Sequence, residues 1–338
     1  MNRTPLALGT RLLGQGQPCL VAAHVGHAHE GRVDDALRLI EAAFQAGADA
    51  IVFSVFRTDE LLVRRHPGRR ELEALELADR DWHRVLEAAR ASGLTVVAEA
   101  HDRPSLELAL ASGVDALQSH AGDIDHPDLL RALAGAGRPL LVAAGCAGMP
   151  QLREAISGAT AGVAVLLGPV EAPAPVEELR LAEIAVLREQ LLVSIGLLDS
   201  TDGGSAFALV TPALAAALGA ELVEKRLVLD RGRKGRDSTA ALAPEELYRC
   251  VELLRQAERA RGDGAVARGP GEPPRGRSIV AAALIGRGEV LTLDRLRFKR
   301  TDERLGRGLR PSEAHRVIGR RATRPIQADE TIREELLE

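Results

Sequence analysis

Three histidines stand within six residues of one another in the stretch VAAHVGHAHEG, at His24, His27 and His29. The stretch is typical of the end of a buried β-strand that leads into an amphipathic helix. Imidazole is a common metal ligand, and its pKa near neutrality also suits it to proton transfer. The stretch therefore indicates a metal site or an acid–base site at the end of a strand.

Further side chains of the same kind follow the predicted third and fourth strands. Glu99 and His101 flank the end of the third strand, and His120 follows the fourth. We predict that His24, His101 and His120 bind a divalent metal ion, Mn, Zn or Fe. The alternative is that these polar side chains fill a cavity and bind no metal.

A basic segment, RGRKGRD at 231–237, follows the predicted last strand, which ends in Lys225 and Arg226. The loops after the last two strands of a barrel often bind phosphate, and glycine lets the backbone come close to the ligand. We predict that Lys225, Arg226 and Arg236 bind an anionic substrate. The alternative is a solvated loop whose charge is neutralised by neighbouring aspartates.

These residues belong to a repeating pattern of short apolar runs and amphipathic helical segments. Repeated units of this kind predict a parallel sheet, and eight units over about 240 residues predict a (β/α)8 TIM barrel. An open doubly wound sheet is the alternative, but no GxGxxG follows the first run. The runs are CLVAAH (19–24), DAIVFS (49–54), LTVVAE (94–99), DALQS (115–119), PLLVAA (139–144), AGVAVLL (161–167), LLVSIGLL (191–198) and AELVEK (220–225).

Composition restricts the kind of partner. Hydrophobic residues make up 46% of the 338 residues and aromatic residues 2%, and the formal net charge is −4. These values disfavour binding to nucleic acid or to a membrane surface, so we expect a small-molecule substrate. Three widely spaced cysteines and the lack of a long apolar run predict a cytoplasmic protein without a membrane span.

The chain divides by composition. We predict a barrel over residues 1–261, a linker rich in glycine and proline over 262–276, and a small β-rich domain over 277–338.

The small domain carries a recognisable pattern. RSIVAAALIGRGEVLTLDRLRFKR and VIGRRATRPIQADETI resemble the SAF, or antifreeze-like, domain. In the barrel, GADAIVF, SHAGDIDHPDLL, APAPVEELRL and VEKRLVLDRGRKGRDSTAALAPEEL match segments of the sialic acid synthase family in order and spacing. The whole chain from about residue 18 onward resembles this family.

The resemblance implies an enzyme that condenses phosphoenolpyruvate with an N-acetylated sugar, assisted by a divalent metal. It also implies a domain-swapped homodimer in which Arg300 of the small domain reaches the partner's barrel. Among site residues, it keeps His29 and Glu224 for catalysis and Asp123 for binding substrate. With Glu99 and Asp199, which also lie at strand ends, this gives four predicted catalytic residues.

The sequence departs from the family pattern at several positions. Val52 and Gln118 stand where the family has substrate-binding lysines, and Arg226 and Ser238 replace its two metal-binding histidines. Two hypotheses follow. The first is a diverged carbon–carbon bond-forming synthase, acting on a small anionic sugar or keto acid in nonulosonic acid or surface glycan biosynthesis. The second is a catalytically silent homologue that binds a sugar or a partner enzyme.

Overall fold

The structure, a computed structural model, describes residues 4–14, 16–233, 235, 237–262, 276–302 and 308–338. A short antiparallel hairpin of β1 (Leu6–Leu8) and β2 (Arg11–Leu13) precedes the main domain. The chain divides into two compact units, Met1–Gly264 and Ala265–Glu338. Most of the predicted linker, residues 263–275, lies outside the described residues.

Eight parallel strands close into a barrel. Each strand pairs with the next along the chain, and the last pairs with the first, so the predicted (β/α)8 fold is confirmed. The strands are β3 (Leu20–Gly26), β4 (Ala50–Val55), β5 (Thr95–Ala100), β6 (Ala116–Ser119), β7 (Leu140–Ala143), β8 (Val163–Leu167), β9 (Ser194–Asp199) and β10 (Leu222–Arg226).

Helices cover the outside of the barrel. In the helix Val33–Gln45, for example, Ala36, Leu39, Ile40 and Ala43 recur at intervals of three and four residues, and all four are buried against the strands. No helix in the described ranges is both long enough and apolar enough to span a bilayer. The helices are α1 (Val33–Gln45), α2 (Thr58–Leu61), α3 (Arg69–Leu75), α4 (Asp79–Ala91), α5 (Arg103–Ala111), α6 (Pro127–Ala134), α7 (Met149–Ile156), α8 (Glu183–Leu191), α9 (Phe207–Ala217) and α10 (Pro244–Arg261).

The hairpin closes the amino-terminal end of the barrel. Leu8 and Leu13 are fully buried and pack in one cluster with inward-facing residues such as Leu20 and Leu222. The Thr95 hydroxyl, at the start of β5, donates a hydrogen bond to the Leu8 carbonyl at 3.2 Å. This end of the barrel is therefore filled by apolar side chains.

Polarity changes along the inward faces of the strands. Because side chains alternate between faces, Leu20 and Ala22 of β3 face the interior together with His24. Ala50 and Val52 likewise precede Ser54 on β4. The apolar layers lie deep in the barrel, and the polar layer lies at its carboxyl end, where TIM-barrel active sites are found.

The second unit has a core of its own. Strands β11 (Arg277–Ala281) and β12 (Leu296–Arg300) pair antiparallel. Short 3-10 helices at Leu293–Arg295, Pro311–Arg316 and Glu334–Leu336 complete the described part. The core residues are Ile279, Ala281, Ile285, Leu291, Leu296, Val317, Ala322, Ile326, Ile332, Leu336 and Leu337.

Candidate active site

A group of polar side chains occupies the carboxyl end of the barrel, contributed by β10, β3, β4, β5, β6 and the loops that follow them. We call this group the polar cluster. Its members are Glu224, His24, Ser54, Glu99, Gln118, His101, His120 and Asp123.

The inner part of the polar cluster centres on His24. Its Nδ1 hydrogen-bonds to Oε1 of Glu224, and its Nε2 lies 3.2 Å from the Ser54 hydroxyl. That hydroxyl donates to Oε2 of Glu99 at 2.6 Å, and the same oxygen lies 3.6 Å from Nε2 of His24. All four side chains are buried. A continuous chain of polar contacts therefore joins two carboxylates through one imidazole.

Glu99 connects this inner part to the rim. Its Oε2 lies 3.3 Å from Nε2 of His101, which is only partly buried. The neighbouring Asp102 holds the loop in place, since its carboxylate accepts hydrogen bonds from the amides of Ser105 and Arg57, both at 2.7 Å. The helix cap of α5 thus fixes the backbone that carries His101.

At the rim, His101 and His120 lie side by side, with ring centroids 5.0 Å apart. One donor atom from each histidine and one from Asp123 all lie within 4.8 Å of one another. The predicted ligand His24 is not in this group, because its ring lies deeper in the barrel, against Glu224. The structure thus brings two of the three predicted metal ligands together, with Asp123 as the third member.

The cluster shifts the pKa values of its members. Burial alone would lower the pKa of His24 and of His101, but the carboxylates of Glu224 and Glu99 outweigh it and raise both. Burial opposes ionisation of Glu99 too, yet the surrounding histidines hold its pKa well below its ordinary value. Burial lowers the pKa of His120. The inner imidazole and the Glu99 carboxylate therefore favour their charged forms.

Three side chains of the cluster, those of Gln118, Glu224 and Asp123, have buried polar atoms that lack a hydrogen-bond partner among the described residues. Gln118 is fully buried, and neither atom of its amide has a hydrogen-bond partner. It lies on β6 directly opposite Glu99 on β5. Oε2 of Glu224 is buried without a partner as well. Buried polar atoms normally find a partner, so each of these atoms needs a hydrogen bond that the described residues do not supply.

Lys225 and Asp199 lie on the other face of the barrel wall. Because Glu224 faces inward, its neighbour Lys225 faces the helices. Its Nζ lies 3.0 Å from Oδ2 of Asp199 and 3.0 Å from the Thr201 hydroxyl, and the pair is fully buried. The structure does not bring the predicted substrate-binding Lys225 or the predicted catalytic Asp199 into the polar cluster.

The side chain of Arg226 is also engaged in an ion pair. Its Nη1 donates to Oδ1 of Asp237 at 2.7 Å, and Oδ2 of the same aspartate accepts the backbone amide of His27. Burial would raise the pKa of Asp237, but its bonds to His27 and Arg226 lower it strongly. The predicted anion-binding Arg236 lies outside the described residues.

The two positions where the resemblance implies metal-binding histidines do not fit a metal in this chain. Arg226 offers only N–H donors and carries a positive charge, so it cannot coordinate a cation. The hydroxyl of Ser238 is bonded to the Gly235 carbonyl at 2.9 Å. These two positions therefore do not supply a pair of ligands for a catalytic metal.

His29, predicted as catalytic, lies apart from the cluster. It is fully buried and contacts Trp82 edge-on, with ring centroids 5.5 Å apart. Its Nδ1 accepts the amide of Gly31, and burial lowers its pKa to about 4. His29 is therefore a neutral core histidine that stabilises the turn before α1.

Arg300 belongs to the second unit. It pairs with Arg277 across β11 and β12, and its side chain is exposed. Its predicted contact with a partner's barrel stays a prediction.

Sequence reasoning missed Ser54 as a member of the cluster and Gln118 as an unpartnered buried amide. Strand alternation was the available signal, since Ser54 follows Val52 and Gln118 follows Ala116 on inward-facing positions.

Comparison with known proteins assigns the family. Residues 39–266 match the NeuB family, and residues 276–338 match the SAF domain. The chain belongs to the NeuB family. The resemblance to sialic acid synthases predicted from the sequence is thereby confirmed.

Its relatives include enzymes. It is 26% identical to the N,N'-diacetyllegionaminic acid synthase of Legionella pneumophila, over 96% of each chain. It is also 26% identical to human N-acetylneuraminate-9-phosphate synthase, over 97% of this chain and 95% of the relative. The solved N-acetylneuraminic acid synthetase of Leptospira borgpetersenii, in complex with citrate, superposes with a TM-score of 0.74 at 25% identity. That match covers 79% of this chain and 93% of the solved one.

Proposed function

We propose that this NeuB-family protein is a carbon–carbon bond-forming synthase that joins an enolpyruvyl or keto-acid substrate to an N-acetylated sugar aldehyde. The relatives named as synthases of legionaminic and sialic acids support this reaction class. The product would be a 2-keto acid sugar of the nonulosonic type, used in a surface glycan.

The observation that carries the proposal is the chain of contacts from Glu224 through His24 and Ser54 to Glu99. In the condensation, C3 of phosphoenolpyruvate bonds to the aldehyde carbon and the aldehyde oxygen gains a proton. Water adds to C2, and phosphate leaves to give the 2-keto acid. The reaction therefore needs both a proton donor and a group that accepts a proton from water, and a buried imidazole between two carboxylates can do both.

The partly buried rim of the cluster is where a substrate would make contact. His101, His120 and Asp123 are accessible there, whereas His24, Glu99 and Glu224 are at most 3% exposed. The inner residues would therefore act through the rim, by holding protons and orienting His101. The unpartnered amide of Gln118 is fully buried opposite Glu99, so it belongs to this inner group as well.

A direct assay tests the proposal. Purified protein is incubated with phosphoenolpyruvate and a panel of N-acetylated hexosamines, with and without added divalent ions. Released phosphate is measured, and the 2-keto acid product is identified by mass spectrometry. We expect turnover with at least one sugar, loss of at least tenfold in the rate for His24→Ala, and no loss for the exposed His66→Ala.

A second candidate function is a catalytically silent homologue that binds a sugar or a partner enzyme. The pairing of Lys225 with Asp199 and of Arg226 with Asp237 favours it, because these cations are already neutralised. We would then expect no phosphate release with any sugar, but saturable sugar binding by calorimetry. This result would support the second candidate and contradict the proposed synthase activity.

We also propose that the protein is a cytoplasmic homodimer in which Arg300 contacts the substrate carboxylate in the partner's barrel. Light scattering should give twice the chain mass of 36.0 kDa. Arg300→Ala should raise KM for the anionic substrate, while Lys299→Ala on the same strand should not.

A further inference from the structure

The rim of the polar cluster combines two histidines and one aspartate at the spacing of metal ligands. Among the described residues, His101, His120 and Asp123 form the one group of three or more metal-ligating side chains whose donor atoms all lie within 4.8 Å. They come from the ends of β5 and β6, so the barrel positions all three.

Glu99 prepares His101 to bind a cation. The carboxylate of Glu99 can only accept, so Nε2 of His101 must donate to it across 3.3 Å. Nδ1 is then the free nitrogen of the neutral ring, and it faces Oδ2 of Asp123 at 3.9 Å. A carboxylate that holds the far nitrogen of a ligating histidine is the usual outer partner of a metal site.

The gap between His101 and Asp123 suits a metal better than a hydrogen bond. Oδ2 of Asp123 is buried and has no hydrogen-bond partner within the described part of the chain. The 3.9 Å separation is too long for a direct bond. Two ligands of a tetrahedral zinc ion, with bonds of about 2.0–2.1 Å, lie about 3.4 Å apart. A small inward shift would complete the coordination.

His120 is the third member, and one existing contact must change. Its Nδ1 accepts the amide of Gly122 at 3.1 Å, so the neutral ring carries its proton on Nε2. Coordination through either nitrogen requires that this hydrogen bond be released. The turn Ala121–Asp123 would therefore rearrange when a metal binds.

We propose that His101, His120 and Asp123 form a divalent transition-metal site, with Glu99 as the outer partner of His101. Two imidazoles and one carboxylate suit Zn²⁺ or Fe²⁺ and leave positions open for water or a substrate oxygen. The site differs from the family positions at Arg226 and Ser238, and it differs from the set predicted from sequence, which included His24. It rests on the same cluster as the proposed function, but its test requires no turnover.

Metal titration of the full-length, untagged protein after chelator treatment tests the site. Calorimetry with Zn²⁺ and mass spectrometry of the bound metal should give about one ion per chain. His101→Ala and His120→Ala should each weaken binding at least 100-fold, and Glu99→Gln should weaken it about 10–100-fold. The amide of Gly122 should change its hydrogen exchange on metal addition.

Two controls separate ligands from neighbours. His66 is exposed, and its Nδ1 accepts the amide of Gly68 at 3.1 Å, the same bond that His120 makes to Gly122. His66→Ala and His24→Ala should both keep the metal, and circular dichroism checks that every variant is folded. Stoichiometric binding that survives His101→Ala, binding lost in folded His24→Ala, or no binding at all would each overturn the proposed site.

Discussion

Nζ of Lys225 lies 3.0 Å from Oδ2 of Asp199 in a fully buried ion pair on the helix-facing side of the barrel wall. The Thr201 hydroxyl satisfies a second proton of the ammonium group. The pair therefore serves the packing of β9 and β10 against the helices, and its charges are not available at the barrel mouth.

Removing one member of this pair should destabilise the protein without touching the polar cluster. We expect Lys225→Met to lower the free energy of unfolding by about 3–5 kcal/mol, because it leaves the charge of Asp199 buried without a cation. The double variant Lys225→Met/Asp199→Asn should recover much of the loss, because asparagine carries no charge and keeps an oxygen for the amide and hydroxyl of Thr201. Urea denaturation measures both. A stable Lys225→Met protein that has lost affinity for an anionic substrate would show instead that the lysine serves the site.

The buried His29 should make stability depend on pH. Its pKa is about 4 in the folded protein and near 6.5 in an unfolded chain, so the unfolded state binds the proton first as the pH falls. Its contribution is complete above pH 6.5 and is lost as the pH falls towards 4, by about 3 kcal/mol in total. Urea denaturation between pH 4.5 and 7.5 measures the slope.

His29→Gln should flatten this slope, whereas the exposed His83→Gln should leave it unchanged. An unchanged slope in His29→Gln would show that the pH dependence of stability does not come from His29.

The pKa of His24 should fall when Glu224 loses its charge. Burial lowers this pKa, and the Glu224 carboxylate is the main group that opposes burial. We expect Glu224→Gln to bring the pKa of His24 below 6.5, measured from the ring nitrogens by NMR. Glu171→Gln, an exposed change, should have no effect. An unshifted His24 in Glu224→Gln would mean that Glu99 dominates.

A side chain at position 26 should lower the stability of the folded protein. Its φ is +52°, and an added Cβ would lie 2.8 Å from Oδ2 of Asp237, which holds Arg226. Gly93 has φ +86° and open space around it, so Gly93→Ala measures the backbone strain alone, about 1 kcal/mol. We expect Gly26→Ala to cost more than about 2 kcal/mol in denaturant unfolding, since it adds the clash to the strain. Equal losses in the two variants would show that Asp237 moves aside freely.

The barrel could be predicted from sequence because its signal is repeated eight times. Each buried run is followed by a helical segment, and the family motifs occur in the same order. The face of each strand was harder to assign. Glu224 and Lys225 are adjacent in sequence, and only the closed barrel decides that the glutamate faces inward.

The candidate site was predicted in part for a related reason. His101 and His120 meet because β5 and β6 are neighbours, which the barrel order implies. His24 and His29 sit on the same stretch, yet one faces Glu224 and the other packs on Trp82. A turn at Gly26 separates the two side chains. The spacing of the histidines in the sequence does not predict that turn.

Leu8 and Leu13 close the amino-terminal end of the barrel with apolar side chains, so a ligand reaches the polar cluster from the carboxyl end. Substrates and products therefore use the same end of the barrel. A product that stays bound at this end therefore prevents the next substrate from binding. Inhibition by a retained product should then be competitive with the substrate that binds first, because both bind the same free form of the protein.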